Sequence, residues 1–482
     1  MSPHAPPLRG SLPPEGADLA RGGPSRRSSA NRWAAPLAML EHGLLQRDVA
    51  ARALLLSALA GEHLLLIGPP GTAKSELARR LQRLLPGTRY FERLLTRFSV
   101  PEELFGPLSL QALEADRYER LTEGYLPAAE VAFLDEVFKA NSAILNTLLG
   151  LLHERLFDNG SQRVPAPLLT LVGATNEPPQ DDSLLAFHDR FLLRVPVQPV
   201  DDAHFDALLT TDAKAATAPP ASLSLADLHA VRAAAATVAL GDEARALLHT
   251  AREHAARTAQ PVSDRRWRQL VALLQVQAAS RGAAAVDAWD LWLLPFVLAH
   301  EPASVPGWTE LFMQRVAQAG PLPTDGLARA VQAFEQQLDI ERRAPADAQD
   351  DSAGKLALAK AIAGPDAGQN ELVRITSERA HRRYSPVHIA ARTRQCDELL
   401  GQLEPLLAQV QATADAVLAA ATAHDWLPPS WRAHIGAVHQ ERLQRLQALC
   451  AALRTHRDGF ASLPVDHQLP PTEPAPVAWT AN

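Results

Sequence analysis

Cysteine is nearly absent from this 482-residue chain, where Cys396 and Cys450 are the only two. That excludes a disulfide framework and a cysteine-built metal site. Lysine is almost as scarce: Lys74, Lys139, Lys214, Lys355 and Lys360 are the only five among 47 basic residues. A surplus of positive charge is missing too. With a formal net charge of −7, no broad basic surface and no nucleic-acid partner are expected. No apolar run reaches the roughly 18 residues of a membrane span, and the N-terminus has no apolar signal-peptide core. A cytoplasmic protein without a transmembrane segment is the plain expectation. What is present is ordinary for a globular chain, 47% hydrophobic and 21% charged. Its length allows two or three domains with a core each.

Residues 1–30 are rich in Pro, Gly, Ser and Arg and read as disordered. From 31 to 200, short apolar runs alternate with helical segments. "HLLLIG" (63–68), "YFERLLT" (90–96), "VAFLDE" (131–136), "LLTLVGATN" (168–176) and "RFLLRVPV" (190–197) read as five strands. Strands separated by helices imply a parallel sheet covered on both faces, an α/β core. Ala/Leu-rich helices follow over 201–318 as an all-α lid. A helical C-terminal region spans 319–463, with a small, polar linker at about 344–370. There Leu327, Val331, Phe334 and Leu338 share one stripe. Leu399, Leu403, Leu406 and Val410, and then Trp431, Ile435, Val438 and Leu446, suit an antiparallel hairpin packing on it. The tail, 464–482, is Pro-rich and expected to fray.

The chemistry begins at "GPPGTAKS" (68–75), which departs from G-x-x-x-x-G-K-[ST] only in having Ala73 before the lysine. A strand precedes it and a helix starts at Lys74, as a phosphate loop requires. Gly68 and Gly71 relieve the turn, and Ala73 can serve if its φ stays negative. Lys74 would then reach the β- and γ-phosphates of a nucleotide, and the Ser75 hydroxyl would ligate Mg²⁺. About 60 residues on, a buried strand ends in Asp135 and Glu136. Asp135 can hold Mg²⁺ through water, and Glu136 can polarise an attacking water. A further strand ends at Thr175 and Asn176, where a polar side chain could hold that water. Arg190 and Arg194 could offset charge on the γ-phosphate, and Ser263 reads as a helix N-cap with Arg265 and Arg266 in the first turn.

In this order the parts resemble the MoxR family of AAA+ ATPases, and within it the regulatory ATPase variant A (RavA) proteins. The stretch "LLTRFSVPEELFGPLSLQALEADRYERLTEGYLPAAEVAFLDEVFKANSAILNTLLGLLHERLFDNG" (94–160) carries much of the likeness. The resemblance implies a five-stranded AAA+ core with a helical lid. In it, Gly68, Pro69, Pro70, Gly71, Thr72, Ala73, Lys74 and Ser75 are Walker A, and Asp135 and Glu136 are Walker B. Asn176 is sensor 1, Arg190 the arginine finger and Arg265 sensor 2. Residues 99–127 look like the helix-2 insert, and "RLFDNGSQRVPAPL" (155–168) like the pre-sensor hairpin, turning at Asn159-Gly160. The resemblance further implies ATP and Mg²⁺ as cofactors, a hexameric ring that remodels client proteins, and a partner with a von Willebrand factor A (vWA) domain. The β-rich domain inserted in RavA proteins has no counterpart in the short 344–384 segment, so lysine decarboxylase binding is not carried over. A nucleotide-switched scaffold and a chelatase-type metal-insertion motor stay open as alternatives.

Overall fold

A computed structural model describes residues 32–179, 181–210, 221–322, 324–344 and 382–479. Residues 1–30 and the linker beyond Ala344 therefore lie outside the described residues. All five expected strands form: β1 (Leu64–Ile67), β2 (Tyr90–Leu94), β3 (Val131–Asp135), β6 (Thr170–Thr175) and β7 (Leu193–Pro196). They pair in parallel in the order β2-β3-β6-β1-β7. Such a sheet needs apolar residues on both faces, which is why β1 is the unbroken run Leu-Leu-Leu-Ile. Leu64 and Leu66 join Val131, Phe133, Val172 and Val195 in one core, while Leu65 and Ile67 join Ala132, Leu134 and Leu171 in the other.

Register brings the strand ends that carry chemistry to one edge. Ile67 pairs with Thr175, and Leu94 with Asp135. The residues that follow β1, β3 and β6 thus emerge side by side, outside the carboxyl ends of the strands, where open α/β sheets place ligands.

Between β3 and β6 the chain makes an antiparallel hairpin, β4 (Leu156–Asn159) and β5 (Gln162–Pro165). Asn159 pairs with Gln162, so the two-residue turn is Gly160-Ser161 rather than the expected Asn159-Gly160. Asn159 is used otherwise: its amide oxygen accepts from the Arg120 N–H at 2.6 Å and its amide nitrogen donates to the Arg120 carbonyl at 3.1 Å. Gly160, at φ +66°, lies against the Tyr118 carbonyl, where a Cβ would come within 1.9 Å. Hairpin and insert are therefore locked to each other.

The lid is helical, with its main helices at Leu225–Ala235, Asp242–Arg257, Asp264–Ser280 and Val305–Arg315. A two-residue parallel pair, β8 (Ala239–Leu240) with β9 (Ala285–Val286), is its only sheet among the described residues. Val417–Ile435 belong to this same compact unit, which otherwise comprises the described residues from 32 to 320. Trp431 packs on Trp292, Phe296 and Phe312 of the lid, and Trp426 on Trp33. This corrects the expectation that the whole second stripe, Trp431 included, would pack on the 325–342 helix.

The other unit comprises the described residues within 321–416 and 436–479. Its core joins Val331, Phe334 and Leu338 of the helix Asp325–Arg343 to Leu399, Leu403, Leu446 and Phe460. The described part of the Pro-rich tail, to residue 479, is packed rather than frayed: Val477 is buried in this core, and Arg392 donates to the Ala475 carbonyl at 2.8 Å. One helix, Pro386–Ala423, meets the length and composition of a membrane span. Its apolar residues Leu399, Leu403 and Val410 are buried in this core.

Candidate active site

The loop after β1 is held by contacts that leave little choice of residue. The Gly68 N–H donates to the Thr175 carbonyl at 3.0 Å, and a Cβ there would stand 2.0 Å from the Val197 carbonyl oxygen. Gly71 needs its freedom for a φ of +79°. Ala73 has φ +67°, against the expectation that it would stay negative. The left-handed region costs an L-residue about 1–2 kcal/mol, and it persists only where the surroundings over-determine it. Thr72 is fixed on both sides: its hydroxyl donates to the Pro69 carbonyl at 2.9 Å, and its carbonyl accepts from Arg47 Nε at 3.0 Å.

Ala73 offers no side-chain cap to the helix Lys74–Leu84. The first N–H groups of that helix are left for an outside acceptor, which favours an anion. Lys74 folds back over the loop and donates to the Gly68 carbonyl and, at 2.9 Å, to the Pro69 carbonyl. Burial lowers the pKa of its ammonium, against the pull of Asp135 and Glu136.

Asp135 ends β3, and its carboxylate accepts from the Glu136 N–H at 3.0 Å. Glu136 is itself left-handed, at φ +52°. Both of its oxygens are engaged. Asn176 Nδ2 donates to Oε1 at 2.6 Å, and Lys139 Nζ stands 3.3 Å from Oε2. Thr175 turns its hydroxyl to the Glu177 carbonyl at 2.7 Å.

A cleft of about 310 Å³ is lined by Pro70, Gly71, Thr72, Ala73, Lys74, Ser75, Asp135, Glu136 and Asn176, at the lower end of ligand-site volumes. Nine of the sequence-predicted residues thus meet in one place. Gly68 and Pro69 sit at the base of the loop, outside this lining. Arg190 and Arg265 are not part of the lining either. Arg190 is half-buried and follows the helix Asp182–His188. Arg265 is exposed in the first turn of Asp264–Ser280, whose N-cap Ser263 accepts from the Arg266 N–H at 3.3 Å, as the spacing predicted.

Its neighbour Arg266 is buried. It pairs with Asp189 at 2.8 Å and donates to the carbonyls of Phe191, Leu192 and Val297. Arg194, also buried, reaches the same Asp189 at 3.3 Å. Sequence reasoning missed the roles of Arg47, Lys139 and Asp189. All three act through partners distant in the chain or across a turn, which no local pattern displays.

The donor set suits a magnesium nucleotide. A hydroxyl on Ser75 and a carboxylate on Asp135 are hard oxygen ligands. The uncapped helix start and Lys74 offer a phosphate group N–H donors and a cation.

Residues 31–233 match the family described as the MoxR domain in the MoxR-vWA-beta-propeller ternary systems. Residues 244–307 match an AAA lid domain. Together the two stretches cover more than half of the chain. An uncharacterised protein of Methanocaldococcus jannaschii is 53% identical over 145 residues, 30% of this chain and 39% of that protein. The chaperone MoxR1 of Mycobacterium tuberculosis is 29% identical over 159 residues, 32% of this chain and 41% of its own length. The chain thus spans about two fifths of the length of these relatives. A solved structure of a candidate ATPase from Cytophaga hutchinsonii aligns with 59% of this chain and 94% of its own, at 16% identity and a TM-score of 0.48.

Proposed function

We propose that the chain, similar to a MoxR domain and an AAA lid domain over the two matched stretches, is a MoxR-type AAA+ ATPase that hydrolyses ATP with Mg²⁺ to remodel or activate client proteins. The observation that carries this reading is the convergence of Lys74, Ser75, Asp135, Glu136 and Asn176 on one cleft. In it, Lys74 leaves the loop carbonyls to hold the β- and γ-phosphates. Ser75 and Asp135 would hold Mg²⁺, which when bound would offset charge on the phosphate oxygens. Glu136 orients and polarises the attacking water, and Asn176, already bonded to it at 2.6 Å, keeps its carboxylate aimed.

Arg190 stands outside the lining of its own cleft, which agrees with a role in the cleft of a neighbouring subunit. Arg265, exposed at the start of a lid helix, is free to swing toward phosphate as sensor 2. A hexamer is the proposed assembly, acting in the cytoplasm. The insert and hairpin, clamped by Asn159, then face the ring's pore with Leu110 and Tyr118 exposed on the insert and Val164 on the hairpin. A vWA-domain protein, with a β-propeller protein as a third component, is the proposed partner set, after the family's description. The RavA likeness is a narrower reading that rests on the resemblance over 94–160.

Purified protein should release phosphate from ATP in the presence of Mg²⁺ and stop when the metal is chelated. If no ATP is turned over at any nucleotide concentration, with or without a vWA-domain protein, the reading fails.

A further inference from the structure

Arg47 is buried, and all of its bonds go to backbone carbonyls: Thr72 at 3.0 Å, Gln198 at 2.7 Å and Gln46 at 2.8 Å. Among the described residues it makes no salt bridge. A buried guanidinium with no carboxylate is costly, so its placement needs a reason. The reason lies in the peptide it grips. A trans peptide points its C=O and N–H in opposite directions. With the Thr72 carbonyl held inward by Arg47, the Ala73 N–H is turned the other way, and Ala73 lines the cleft. That orientation is also the one that holds Ala73 left-handed at φ +67°.

We propose that Arg47 is a positioning residue for nucleotide binding. Its grip on the Thr72 carbonyl keeps the Thr72–Ala73 peptide presenting its N–H to phosphate, and it lets the loop carry alanine where glycine would take that conformation unaided. Without the grip, Ala73 relaxes to the right-handed region and the peptide rotates its N–H away. The inference rests on the cleft binding a nucleotide, and its test separates the two.

ADP titration by calorimetry on the full chain would compare the parent, Arg47→Met, Ala73→Gly and the double variant. Arg47→Met should weaken ADP by about 5- to 30-fold, the left-handed penalty expressed as affinity. In the Ala73→Gly background the same change should stay within about twofold, because glycine needs no clamp. An equal loss in both backgrounds, or none in the parent, overturns the inference. A merely structural fastening would lower the thermal midpoint and give that equal loss. Should Arg47→Met not fold, Arg47→Lys replaces it with the same expectation, since an ammonium cannot span Thr72 and Gln198 together. A parent protein that binds no ADP overturns the reading of the cleft along with this one.

Discussion

The cleft and the helical core around Asp325–Arg343 treat buried charge in opposite ways. In the helical core Glu341 is buried but neutralised, with Arg392 at 2.8 Å and His388 at 3.0 Å on its two oxygens. At the cleft Arg47 is buried against carbonyls alone, and the backbone beside it is strained at Gln46, Ala73 and Glu136, all with positive φ. The helical core satisfies itself. At the cleft the cation instead fastens backbone, and the strained residues beside the loop are held by such contacts.

The sharpest break of this contrast is at Glu136. Glu136→Gln should lower kcat by about 10²–10⁴-fold, the range for a lost general base, while ATP still binds. Phosphate release read beside a nucleotide titration checks both halves, and a variant that keeps its rate removes Glu136 from the mechanism. In the helical core the corresponding change is Glu341→Ala, which leaves Arg392 buried without its carboxylate. It should cost about 3–5 kcal/mol of stability, read from urea unfolding, with nucleotide affinity unchanged. Loss of nucleotide binding instead would erase the division between the two regions.

A smaller effect is expected from pH. Burial, with Arg194, Arg266 and His300 nearby, pushes His188 down to about 3. The unfolded chain takes up that proton near pH 6.5, and the folded protein does so only near 3. Stability from this group is therefore full above about pH 6.5 and falls as pH drops toward 3, by up to about 1.4 kcal/mol per unit. His188→Gln should flatten the difference between urea midpoints at pH 7 and pH 5. The smallest change is Ala73→Gly. It exchanges a left-handed penalty of about 1–2 kcal/mol for a glycine entropy cost of about 0.5–1 kcal/mol. A net gain of roughly 0.5–1 kcal/mol is expected, seen as a higher thermal midpoint.

Much of the fold was legible because apolar runs and turn residues are local signals. Each of the five strands ends within two residues of where its run ends, and Ser263 caps its helix. The cleft-lining residues were legible for the same reason: each stands at the end of a run or just after it. The turn at Gly160-Ser161 was misplaced by one residue because register, not the Asn-Gly pair, sets a hairpin loop. Trp431 was assigned to the wrong core because a helical stripe shows which face is buried and not what buries it.

The amino-acid order alone thus determined the strands, the glycine-containing loop after β1 and the paired carboxylates, since these depend on neighbours a few residues away. Tertiary structure decided the rest. It set the sign of φ at Ala73, imposed by an arginine 26 positions earlier. It decided which of two adjacent arginines is buried, through an Asp189 that lies 77 residues from Arg266. It also bonded Asn176 to Glu136 across 40 residues. Burial and hydrogen bonding between distant segments act only once the sheet has brought them together, and no sequence window contains both partners.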